Sequence, residues 1–126
     1  MNKQDLIGKE LSNLYAIAKQ VNDYFNGSDI SFLNERRKGI VADYLQFSCK
    51  NEEDIAEMLR NINVNPGNTK DSIIEEITEN LHHIVLQKDA TKKLKSLGYM
   101  MSLNRLISYH MANIDNIRFV INDIEF

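Results

Sequence analysis

The final stretch, "LISYHMANIDNIRFVINDIEF" at residues 106–126, admits two readings. Its tail, "RFVINDIEF", has the β-branched content of a strand. Read together with the residues before it, the segment behaves differently. Leu103, Ile107, Ile114, Ile117, Ile121 and Ile124 recur at steps of four and three, with His110 in the remaining place. That spacing puts all of them on one face of a helix. The helical reading keeps the whole run in register, so a fourth helix is expected from about Thr91 to Asp123. Gly98 is its soft spot.

Upstream segments follow the same rule. Ile7, Leu11, Leu14, Ala18, Val21 and Phe25 define a first helix over 3–25, stopped by "NGSD" with Gly27 suited to a left-handed C′ position. A second helix starts near Asp29 or Ser31, both good N-caps. Its stripe is Leu33, Arg37, Ile40 or Val41, Tyr44, Ser48, Ile55, Met58 and Ile62, with "SCKNEED" a place for a kink. "NVNPGN" ends it, because Pro66 cannot continue a helix and Asn65 before it is pushed out of helical geometry. A third helix runs from about Thr69 to Gln87, capped by Asp71 or Asn68, and buries Ile74, Ile77, Leu81 and Ile84. Breaks are therefore predicted at 26–30, 63–68 and 87–91. Apolar-striped helices joined by short loops pack as antiparallel neighbours. The expected fold is all-α, an antiparallel up-down-up-down four-helix bundle in one domain over 1–126.

Composition agrees. The chain has 126 residues with one Pro, five Gly and no Trp, and breakers this rare suit helices. A domain of this length buries roughly 65–70% of the surface its unfolded chain exposes, so no metal or disulfide staple is required. Fifteen basic and 18 acidic residues leave a net charge of −3, which gives no electrostatic reason to expect nucleic acid. "KDATKKLK" reads as a solvated helix start or loop. The lone Cys49 forms no intramolecular disulfide. No apolar run approaches the roughly 20 residues of a membrane span, and the N-terminus lacks the apolar region of a signal peptide. A cytoplasmic protein with no membrane or nucleic-acid partner is expected.

"KELSNLYAIAKQV" resembles the opening helix of the YciE/YciF family of ferritin-like bundle proteins. The matching positions are Glu10, Leu11, Leu14, Tyr15, Gln20 and Val21. "NINVNPGN", with Pro66, resembles the family's loop between the second and third helices. "YHMANIDNIR" resembles its last-helix motif at Tyr109, Ala112 and Arg118. The resemblance implies a ferritin-like bundle, a dimer and a link to stress. It also implies metal-ligand positions, and here these are substituted. Ala18 stands where the family has a Glu ligand, Ile107 and His110 where it has two inward carboxylates, and Tyr44 near its second-helix His.

A two-metal centre in a bundle core needs several inward anionic oxygens, because two divalent cations in a low-dielectric interior require compensating charge. The stripes supply inward His110 and Tyr44, with Asp43 one step off the stripe. Glu79 is roughly opposite Leu81 and faces solvent. No metal, cofactor or catalytic residue is expected. His110 is read as a core histidine hydrogen-bonded to Tyr44 or to a backbone carbonyl. Two alternatives stay open. One is an iron or manganese site rebuilt around His110, Tyr44, Asp43 and Glu79. The other is histidine phosphotransfer at His82 or His83, which are otherwise boundary residues flanking Leu81. Phe32, Phe47, Met100, Met111, Phe119 and Val120 lie off the core stripes. Such a surplus marks an interface, so a homodimer through Met111, Phe119 and Val120 is expected. The functional expectation is a non-catalytic, stress-associated binding or scaffold protein, with a protein partner the sequence does not name.

Overall fold

The computed structural model describes residues 1–122. Within them the chain forms α1 (Lys3–Phe25), α2 (Glu35–Asn61), α3 (Ser72–Leu86) and α4 (Lys92–Ile121). The breaks include the three predicted from sequence but are longer at 26–34 and 62–71. Ile124, which completes the predicted stripe of α4, lies outside the described residues.

Each helix start is fixed by a side chain that accepts a backbone N–H the helix cannot satisfy itself. Asn2 and Asp5 form a reciprocal capping box at α1. Asp71 caps α3 and Thr91 caps α4. At α2 the cap is Asn34, later than the expected Asp29 or Ser31. The reason is local: Asp29 Oδ1 accepts from Ser31 N–H in a tight turn, and Leu33 is buried in the connection rather than on the helix. Through "SCKNEED" α2 runs on without a break.

The helices run up, down, up, down. Ile55 and Leu59 of α2 join Leu11 and Leu14 of α1, while Tyr44 meets Phe25, so α1 and α2 are antiparallel. Asn80 bonds Ser102 and Tyr109 bonds Asp71, so α3 and α4 are antiparallel too. α1 packs against all three other helices. The expectation that every consecutive pair would be neighbours fails once, because α2 and α3 do not pack along each other. Their connection instead crosses the outer side of α1. Val64 sits against Gly8, where an added Cβ would come within 3.3 Å of Val64 Cγ2. At the far end, Gln20 holds both backbone groups of Asp71, its Oε1 accepting from Asp71 N–H at 2.8 Å and its Nε2 donating to Asp71 C=O at 3.1 Å. Gly8, Ser12 and Ala16 are buried on this side, a second covered face that the 4-3 stripe of α1 did not predict.

The core has two parts. The larger gathers Ile17, Val21, Phe25, Val41, Tyr44, Ile74, Leu81, Tyr99, Leu103 and Leu106. The smaller, where α3 does not reach, is Leu11, Leu14, Ile55, Leu59 and Ile117. The alternative between Ile40 and Val41 resolves to Val41, with Ile40 exposed. On α4 the centre is Tyr99, Leu103, Leu106 and His110. Ile107 is half-buried and Ile121 exposed, because the buried arc of α4, packed chiefly on α1 and α3, is shifted from the predicted stripe.

Candidate functional site

His110 has no solvent exposure. A buried imidazole must place both ring nitrogens. Nδ1 lies 2.7 Å from the Tyr44 hydroxyl, and Nε2 lies 2.9 Å from Asn51 Oδ1. A carbonyl oxygen only accepts, so Nε2 carries the proton and Nδ1 accepts from Tyr44 O–H. The three form one directed chain, Tyr44 to His110 to Asn51. The spacing explains it: Tyr44, Ser48 and Asn51 follow one another at steps of four and three along one face of α2. Ring edges close around the imidazole, with the Tyr44 and Phe47 centroids each 5.7 Å away. Burial lowers the His110 pKa to about 4 and pushes the Tyr44 phenol up, so both groups are held neutral.

Around this chain the core stays partly polar. Asn22 Nδ2 donates to Ser48 C=O at 3.3 Å and to Glu52 Oε1 at 2.8 Å. The Ser48 hydroxyl and Asn22 Oδ1 are enclosed without a hydrogen-bond partner among the described residues. Ala18 is fully buried. A second polar cluster sits at the start of α3. Asp71, 5% exposed, caps Ile74 N–H with Oδ1 and accepts from the Tyr109 hydroxyl with Oδ2 at 2.7 Å. Partial burial first, and the Asp71 carboxylate second, push the Tyr109 phenol up to about 12.

The remaining sequence candidates do not gather here. Asp43 and Glu79 lie on different helices, and among the described residues no three His, Cys, Asp or Glu come together. With both nitrogens of His110 engaged, this donor set does not fit a two-metal centre. His82 and His83 are exposed rather than boundary residues, in a shallow depression with Tyr24, Thr78 and Glu79. Met111 and Phe119 are exposed, whereas Val120 is half-buried. Asn51 was missed by the sequence reading. Its signal was available: it is seven residues beyond Tyr44, hence on the same face. Tyr44 and His110 are both buried, and His110 is fully enclosed.

Comparison with known proteins finds no matching family model, curated protein or solved structure. The likeness to YciE/YciF proteins therefore rests on the residues quoted above.

Proposed function

We propose that this chain is a non-catalytic ferritin-like bundle acting as a binding or scaffold protein, stress-associated as the resemblance implies, with a lost two-metal site. The observation that carries the reading is the double engagement of His110. Where such bundles turn carboxylates inward onto metal, this chain has a neutral hydrogen-bonded chain, and apolar Ala18 and Ile107 stand at two more of the positions that the resemblance assigns to ligands. Placing cations there without anions would incur an uncompensated burial of charge. The homodimer that the resemblance implies belongs to the same reading, with exposed Met111 and Phe119 as its contact residues.

Metal analysis of the purified protein tests this. Iron, manganese and zinc are each expected below one equivalent per chain, and His110→Leu is expected to stay folded. Two equivalents of tightly bound metal, lost on that substitution, would overturn it. Light scattering tests the dimer, which a mass of 14.6 kDa at micromolar concentration would remove. Phosphotransfer gains one requirement from the exposure of His82 and His83. Against it, Glu79 lies one turn away from both, and its carboxylate opposes an incoming phosphoryl group.

A further inference from the structure

Charge is unevenly placed along the bundle. The start of α2, the end of α3 and the start of α4 share one end of the molecule, where Arg37 of α2 reaches the Ser96 hydroxyl of α4 at 2.6 Å. Residues 26–38 and 87–95 form this end and hold seven basic residues against three acidic ones, a local charge of +4. The whole chain is −3, so the remainder carries −7. Arg36, Lys88, Lys92 and Lys93 are exposed here, and none of them makes an ion pair among the described residues.

The same end is also apolar. Leu86, the last residue of α3, is 58% exposed, and Leu94, in the first turn of α4, is 61% exposed. Leu97 and Met101 continue that line along the outer face of α4 at steps of three and four. Beyond Met101 the next places on that line are Asn104 and Ser108, so the apolar stretch occupies about the first three turns of the helix. Leucines left in water among unpaired lysines call for a surface that is anionic outside and apolar beneath.

We propose that this end of the bundle docks on an anionic phospholipid surface, with Leu86 and Leu94 entering the acyl boundary and Lys88, Lys92 and Lys93 meeting the headgroups. Basic residues beside a lipid surface draw it in, and the apolar side chains hold it there. Charge argues against a second copy of the chain on this end, because a two-fold axis here would set lysine on lysine. The expectation of no membrane partner rested on the lack of a span, which does not bear on a charge gathered at one end. Docking of this kind needs no spanning helix, and no helix among the described residues is long and apolar enough to cross a membrane.

Co-sedimentation of the full chain with vesicles tests the proposal. Binding is expected to phosphatidylserine–phosphatidylcholine vesicles, not to phosphatidylcholine alone, and it should weaken as salt rises. Leu94→Gln should bind about tenfold more weakly. Lys92→Glu combined with Lys93→Glu should abolish binding. Both variants change exposed residues, and unchanged helical circular dichroism confirms that they fold. Lack of binding to the mixed vesicles at low salt overturns the proposal, as does equal binding to both vesicle types or indifference to both variants. Binding reproduced on polyglutamate, and unaffected by Leu94→Gln, would assign this end to an acidic protein surface instead and so also overturn it.

Discussion

Asn51 Oδ1 stands 2.9 Å from Nε2 of His110, and that contact decides which ring nitrogen carries the proton. The neutral ring is the form the folded state holds, and its acceptor nitrogen is used by Tyr44 at 2.7 Å. Protonating Nδ1 would set an N–H against the Tyr44 O–H, in a place that solvent does not reach.

Stability should therefore fall with acid in a defined window. The unfolded chain takes up the histidine proton near its ordinary value of 6.5, and the folded chain only near 4. The His110 contribution is complete above the first value, is lost as pH falls from one to the other, and changes no further below. That interval corresponds to about 3 kcal/mol. Urea unfolding followed from neutral pH down through the window measures it. His110→Leu should be less stable at neutral pH and show a shallower decline through the same window.

Tyr44→Phe removes the proton that Nδ1 accepts and little else from the core. The buried nitrogen is left unpaired, a cost of about 1–3 kcal/mol. Thermal unfolding at neutral pH reads it. In a His110→Leu background the same change should cost much less, because its partner is already gone. Equal losses in both backgrounds would refute the coupling.

Asp71→Ala should be among the most damaging single changes at a polar residue. It deletes the α3 cap and the acceptor of Tyr109, both at a 5% exposed position. Loss of the cap alone costs about 1 kcal/mol, and the orphaned tyrosine hydroxyl adds to it. Asp71→Asn keeps an acceptor for Ile74 N–H and should recover part of the loss in chemical denaturation.

Gly8→Ala sets two effects against each other. Alanine is better in a helix interior than glycine by about 1 kcal/mol. The new Cβ would lie 3.3 Å from Val64 Cγ2, so the crossing segment must give. A near-neutral effect is expected in the wild type and a clear gain in a Val64→Ala background. A full gain in both would show that the crossing segment is loosely seated.

The helices were legible because burial on one side leaves a periodic trace. Leu11, Leu14 and Val21, or Ile74 and Leu81, could be placed from spacing alone. Where a segment is covered twice, the trace fails. Gly8, Ser12 and Ala16 are small because a connection lies on them, and small residues leave no apolar stripe. On α4, apolar residues fall on more than one side, so the predicted line through Ile107 and Ile121 was one of several that fitted. The core took the line through Tyr99, Leu106 and His110. Of the candidate site, the pairing of His110 with Tyr44 was readable from two stripes. Asn51 shares a face with Tyr44, seven residues on, but a polar residue on a long helix reads as solvated until its neighbour across the bundle is known.

The segment that passes over α1 also depends on α1 for its own place. During synthesis α1 emerges before any of its partners, and α2 is the next element able to pack on it. Residues 62–70 can take their place on Gly8, Ser12 and Ala16 only after α1 is there to receive them. Gln20 then holds Asp71, which starts α3. Every other helix and the crossing segment thus lean on α1, so a fault in that helix is felt by each of them.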